Sequence, residues 1–234
     1  MCYYNREMTM VPRMSVAIDG PAGAGKSTVA RELARRLGFL YIDTGAMYRA
    51  ITLKALRRGL NLTDEESLKA LADESRIELT TDPDRLTRVF LDGEDVTRAI
   101  REPEVSRHVS LVASLPGVRE VLMRRQRELA RCQNVVMDGR DVGTVVLPNA
   151  QVKIFLTASP EVRARRRQMD LQAQGHHVPL DSLIQEITER DRQDSCRSVA
   201  PLMPAPDAWI IDSSHLNAEQ VVEMIAARVL GRSF

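Results

Sequence analysis

Lysine is almost absent from this chain: Lys26, Lys54, Lys69 and Lys153 are the four among 33 basic residues in 234. With a net charge of +1 and no basic tract, the sequence argues against a general binder of nucleic acid or membrane surfaces. Cysteine is equally sparse. Cys2, Cys132 and Cys196 are odd in number and lack metal-ligand or redox spacing, which excludes a disulfide framework and points to a reducing compartment, the cytoplasm. No apolar run approaches the ~20 residues that span a bilayer. Residues 1–13 carry Arg6, Glu7 and Arg13, contain no signal-peptide core, and are expected to be a disordered extension. Neither D-x-x-G nor N-K-x-D occurs anywhere, which removes the markers of a GTP-dependent switch.

What is present is an ordinary globular composition, 44% hydrophobic and 28% charged, long enough for one α/β domain with an insertion. The 29 arginines offer planar forks suited to paired contacts with phosphate. The most informative stretch is Gly20-Pro21-Ala22-Gly23-Ala24-Gly25-Lys26-Ser27, which fits the phosphate-loop pattern G-x-x-x-x-G-K-[ST]. Ser15 to Asp19 before it reads as a short buried strand. Thr28 to Leu37 after it reads as a helix, with Val29, Leu33 and Leu37 at helical spacing. Such a loop turns successive N–H groups toward phosphate oxygens, and the helix adds its positive end. Lys26 is expected to bridge β- and γ-phosphate and the Ser27 hydroxyl to help hold Mg²⁺. A Gly-rich turn with a surface lysine is the competing explanation.

Five apolar segments read as strands of a parallel sheet: Ser15 to Asp19, Phe39 to Asp43, Val135 to Asp138, Val152 to Leu156 and Ala208 to Asp212. Four end in polar residues, and ligands of open α/β sheets sit at the carboxyl edge. For Asp212 to Ser214, capping of the next helix is explanation enough. Residues 61–109 break the rhythm. A helix start at Thr63-Asp64-Glu65-Glu66, two strands (Arg76 to Thr80 and Leu86 to Leu91) and the turn Asp92-Gly93 predict a small α+β insertion. A helical hairpin is expected between Ser159 and Arg197, with Ser159 as N-cap of its first arm and Asp181 as cap of its second. Four arginines on the first arm could close over a triphosphate.

On the second arm, an inward stripe at Leu183 and Ile187 runs on through Arg190, Asp194 and Arg197. Half-buried charges must be paired or meet a ligand, although a solvated Arg190–Asp194 pair explains the spacing equally well. Asp43-Thr44-Gly45-Ala46-Met47-Tyr48-Arg49 follows the second strand, with Thr44 as a helix cap. Asp138-Gly139-Arg140-Asp141 follows the third, adjacent strand. Arg49, Arg140, Arg190 and Arg197 suit a second phosphate site apart from Lys26, which implies phosphoryl transfer between two nucleotides rather than hydrolysis. Water must then be kept out by closing elements.

With these residues assembled, the chain from Met14 to about Leu230 resembles the bacterial cytidylate kinase family, of the nucleoside monophosphate kinase group of P-loop proteins. The resemblance rests on Ile18 to Thr28, Asp43 to Arg49, Asp138 to Val146, Val152 to Leu156, Glu189-Arg190-Asp191 with Asp194 and Arg197, and Val199 to Leu202. It implies ATP + CMP (or dCMP) giving ADP + CDP (or dCDP), with Mg²⁺. The implied fold is a P-loop α/β core, 14–60 and 110–234, whose five-stranded parallel sheet has helices on both faces. An NMP-binding subdomain is inserted at 61–109, and a helical lid spans about 163–190.

The family pattern assigns Gly20 to Thr28 (Gly20, Pro21, Ala22, Gly23, Ala24, Gly25, Lys26, Ser27, Thr28) to ATP. It assigns Arg49, Arg140, Arg190 and Arg197 to the CMP phosphate, and Thr44 and Asp194 to the sugar hydroxyls. Ser110, Arg119 and Asp141 fall where the family reads cytosine, whose exocyclic amine calls for an acceptor such as Asp141 and whose ring acceptors call for a donor such as Arg119. Where the family often has serine this chain has Thr44, which keeps the hydroxyl. Lys26, Arg190 and the lid arginines Arg163 and Arg167 are the candidates for stabilising transferring charge. Asp43 and Asp138 are both placed to hold Mg²⁺ through water. A monomer is the expectation, since no apolar patch argues for an oligomer. The remaining alternative is a kinase for another monophosphate or a small metabolite.

Overall fold

The computed structural model describes residues 13–81, 87–173 and 175–231. The extension expected over 1–13 lies outside them except for Arg13, as does Leu86 of the expected insertion strand. The described residues fall into two compact units. One is Ile42–Gln126 with Arg197–Val199; the other comprises the rest.

The first apolar segment is β1 (Ser15–Asp19), with Val16, Ala17 and Ile18 fully buried. A run apolar on both faces is what the centre of a parallel sheet requires. Next come α1 (Lys26–Leu37) and β2 (Leu40–Asp43). After α2 (Thr44–Arg57), α3 (Glu65–Glu74), β3 (Ile77–Thr81), β4 (Thr87–Leu91), β5 (Glu94–Asp95) and α4 (Pro103–Val112) of the second unit, and α5 (Pro116–Cys132), which begins in it, the chain returns to the sheet. There it forms β6 (Val135–Asp138), β7 (Val152–Thr157), the hairpin α6 (Pro160–Ala173) and α7 (Leu180–Cys196), β8 (Trp209–Asp212) and α8 (Ala218–Val229).

The five-stranded parallel sheet has the order β2-β6-β1-β7-β8, so β1 is central, as expected of an α/β fold built around the phosphate loop. The apolar stripe of α1 (Val29, Ala30, Leu33) and that of α8 (Val221, Val222, Ile225) bury against Val16, Ile18, Val136, Ile154 and Leu156. Ile18 lies opposite both Asp138 and Ile154, so β6 ends one residue short of β1 and β7 runs two residues past it, and their polar ends share one edge. Thr157 opposite Asp212 extends that edge to β8.

In the second unit, α2 is buried nearly all round. Met47, Tyr48 and Ile51 meet Leu68, Leu71, Val112, Val118 and Leu122. Ala46, Ala50 and Leu53 meet Val89, Leu91, Val96 and Ile100. The expected insertion at 61–109 lies within this unit. Its sheet has order β3-β4-β5. The Asp92-Gly93 turn has φ of 52° and 89°, the left-handed pair a two-residue hairpin loop demands. Two-residue β5 was not anticipated, because so short a segment carries no periodicity.

Three expected caps are corrected. Asp43, not Thr44, caps α2 by accepting from Ala46 N, leaving Thr44 as the first helical residue. Helix α7 begins at Leu180, so Asp181 sits in its first turn. Helix α8 is capped by Asn217 in a reciprocal box with Gln220, which frees Asp212 to Ser214 from that duty. Ser159 does cap α6, accepting from Val162 N at 3.3 Å.

Candidate active site

The phosphate loop leaves β1 at Gly20, whose φ is 145° and whose Cβ, were there one, would lie 1.9 Å from the Leu156 carbonyl oxygen. Only glycine fits this approach to β7. Gly25, at φ 91°, sits in the left-handed conformation at the N-terminus of α1. Lys26, 6% exposed, donates from Nζ to the Pro21 carbonyl at 2.7 Å. Ser27 Oγ donates to Asp138 Oδ2 at 3.0 Å, while Tyr41 OH holds Oδ1 at 2.8 Å. Of the two acids considered for Mg²⁺, Asp138 therefore stands at the loop serine and Asp43 is committed to its cap. A hydroxyl and a carboxylate are hard oxygen donors, and Mg²⁺ completes such a pair with phosphate and water. Among the described residues no cluster of three His, Cys, Asp or Glu offers an all-protein metal cage.

The hairpin's arginines grip the loop from its backbone side. Arg163, 4% exposed, uses all three nitrogens: Nε on Ala158 O at 2.9 Å, Nη1 on Ala22 O at 3.0 Å, and Nη2 on Asp191 Oδ2 at 2.7 Å. Its guanidinium is engaged with protein, so Arg163 supports the loop. Arg166, which sequence reasoning passed over, donates to Ala24 O at 3.3 Å and to Ser213 Oγ and O at 3.1 and 2.7 Å. Ser213 was put down to helix capping. Its position at the end of the last strand was the available signal. Arg167 is half-buried and makes no ion pair among the described residues.

On α7, Leu183, Ile187 and Asp194 are buried, so the apolar stripe does run into charge. The Arg190–Asp194 pair is not what forms. Asp194 Oδ2 accepts from Arg140 Nε at 2.9 Å, and Arg190 keeps a buried Nε with no hydrogen-bond partner. Burial, then Arg140 beside it, pushes Arg190 down to about 10. Lys26 is pushed down to about 7, first by burial and then by Arg140, with Asp138 opposing and Arg190 adding to the shift. Buried Lys26 and half-buried Arg140 and Arg190, held near one another, form an anion receptor.

That depression has a measurable sign. Above about pH 7 the free protein's Lys26 is largely neutral, and polyphosphate against Nζ favours the ammonium. Nucleotide binding at about pH 8 is therefore expected to take up as much as about one proton. Calorimetry in buffers of different ionisation enthalpy reads this directly; zero uptake contradicts it.

Of the remaining predicted residues, Asp141 is buried after β6 in the unit of the parallel sheet, and the others belong to the second unit. Thr44 is buried at the start of α2. Arg49 Nη1 donates to Ile100 O at 3.0 Å and Ser106 Oγ at 2.9 Å. Arg119, 2% exposed, donates to Ala113 O at 3.2 Å, its guanidinium 5.7 Å over the Tyr48 ring. Ser110 on α4 and Arg197 after α7 are half-buried.

A phosphate loop between the central strand and first helix of a parallel sheet, with a buried lysine and converging arginines, defines a P-loop phosphotransferase. The profile of the cytidylate kinase family matches residues 16–230. A protein of Pelotomaculum thermopropionicum named cytidylate kinase is 60% identical over 215 residues, covering 92% of this chain and 95% of that one. Another from Desulforamulus reducens, bearing the same name, is 57% identical over 216 residues, covering 92% and 96%. The chain belongs to the cytidylate kinase family. A solved structure of an uncharacterized protein from Eubacterium ventriosum shares the fold alone, with TM-score 0.50, 12% identity, and coverage of 94% of this chain and 100% of that one.

Proposed function

We propose that this kinase transfers the γ-phosphoryl group of ATP to CMP or dCMP, giving ADP and CDP or dCDP. The observation that carries the reading is the meeting of the loop lysine with a second set of cations, Arg140 and Arg190, in one unit. A hydrolase needs one anion site; a transferase needs two. A CMP phosphate oxygen attacks the γ-phosphorus in line, the bond from the γ-phosphorus to the β–γ bridging oxygen breaks, and ADP leaves. Lys26 follows the charge onto the transferring oxygens and leaving group, with Arg167 and Arg190 assisting. Arg163 acts by holding Ala22 and Asp191. No general base is required, because the attacking phosphate is already anionic.

Gly20 to Thr28 cradle the ATP phosphates. Arg49, Arg140, Arg190 and Arg197 bind the CMP phosphate, and Thr44 and Asp194 the sugar hydroxyls. Ser110, Arg119 and Asp141 read the base, with Asp141 accepting from the cytosine amine. Ser27 and Asp138 would hold Mg²⁺, which would neutralise phosphate charge. A monomer working in the cytoplasm belongs to the same reading.

ADP release with CMP, dCMP, UMP and AMP in parallel tests the substrate. CMP and dCMP are expected to be preferred, and a preference for UMP or AMP overturns the assignment. For the metal, Ser27→Ala is expected to lower kcat by about 10–100-fold and to raise the Mg²⁺ concentration needed for half-maximal rate. An unchanged Mg²⁺ titration argues against Ser27 as its ligand.

A further inference from the structure

Asp19 has no part in the mechanism above, yet it is among the most buried charged groups of the chain, 4% exposed. It ends β1 and immediately precedes Gly20. Both its oxygens are used: Oδ1 accepts from Val142 N and Oδ2 from Gly143 N, each at 2.7 Å. Those amides open the turn Val142–Val146 that follows Arg140 and Asp141. The remainder is fastened independently. Gly139 N donates to Ile18 O at 3.1 Å, and Arg127 donates to the carbonyls of Val146 and Val145 at 2.9 and 2.8 Å. Val145 N and Val146 N return to Asp141 O at 2.8 and 3.1 Å. A Cβ at residue 143 would lie 3.3 Å from Asp19 Oδ2 and 3.3 Å from Lys153 Cδ, so glycine leaves the carboxylate its room.

We propose that Asp19 is a positioning residue for the acceptor: by holding the Val142 and Gly143 amides it sets the backbone that presents Arg140 and Asp141 to the monophosphate. The donor loop and the acceptor segment are thereby both referenced to the end of one strand. This rests on the CMP-binding roles proposed for Arg140 and Asp141. A carboxylate accepts two amide protons, whereas a protonated carboxyl turns a donor toward one of them. Burial pushes Asp19 up to about 6, with the Gly143 and Val142 amides opposing, Asp141 adding to the rise and Lys26 opposing it. Lys153 of β7 also faces this turn. The ionised, holding form is thus present above about pH 6 and is lost below it.

The test compares wild type with Asp19→Asn, Gly143→Ala and the double variant, using ATP, Mg²⁺ and CMP. Asp19→Asn is expected to raise the KM for CMP about tenfold or more and to leave the KM for ATP within about twofold. Gly143→Ala should show the same split, and the double variant should be no worse than Asp19→Asn. CMP's own phosphate titrates near pH 6 in every variant. A fall in wild-type kcat/KM for CMP below about pH 6, steeper than in Asp19→Asn, therefore belongs to Asp19. Loss of ATP affinity in step with CMP, or a fall in all parameters proportional to lost thermal stability, overturns the assignment. So does an unchanged KM for CMP. A wild type that does not phosphorylate CMP overturns the function proposed above, and this assignment with it; an active wild type with an indifferent Asp19→Asn overturns this assignment alone.

Discussion

Lys26→Ala is expected to lower turnover with ATP and CMP by about 10²–10³-fold, the usual consequence of removing one preorganised group that meets charge developing in the transition state. The fold should survive. Nζ donates to the Pro21 carbonyl, and burial has already pushed the ammonium down to about 7. At neutral pH the folded protein thus binds less of a proton at Lys26 than the unfolded chain does, and pays a charging penalty that alanine removes. Saturating kcat measured beside a thermal melt separates the two quantities. Near-normal turnover with a normal melt means that Lys26 does not meet the transferring group.

Arg190→Met should separate stability from activity in the opposite directions. Arg190 lies at the end of the Leu183–Ile187 stripe with a buried, unpartnered Nε. Its depression to about 10, with burial first and Arg140 second, means the folded state disfavours this cation at every pH below that value. Methionine continues the apolar stripe, so stability at neutral pH is expected to rise by about 1–2 kcal/mol. Turnover with CMP is expected to fall by about 10²–10³-fold, because the guanidinium's fork meets phosphate in the reaction. A thermal melt and a CMP titration at saturating ATP decide it. A less stable variant of unchanged kcat/KM would assign Arg190 to structure.

The contrast between residues that were legible and those that were not is physical. Arg163 and Arg167 were chosen as lid arginines one turn apart, but a rotation of one residue along α6 brings Arg166, not Arg167, to Ala24 and Ser213. Arginines at consecutive positions defeat a periodicity argument, since each faces a different way and all are equally charged. Asp194 lies on the expected face, but periodicity left open whether it pairs with Arg190, four residues away, and Arg140 on another element holds it instead. Capping was misjudged at Asp43 and Asn217 because several residues near each helix start could serve, and the backbone angle decides among them.

The phosphate loop, the parallel α/β sheet and the membership of a kinase family were readable from residue order alone. Phosphate is bound there by consecutive backbone amides and one following lysine, so the information is contiguous in the chain. Which arginine supports the loop, which carboxylate joins Ser27, and how Asp19 ties the loop to the segment at Val142 depended on folding. Those pairs lie far apart in sequence, and only the pairing of their strands in one sheet brings their charges within hydrogen-bonding range.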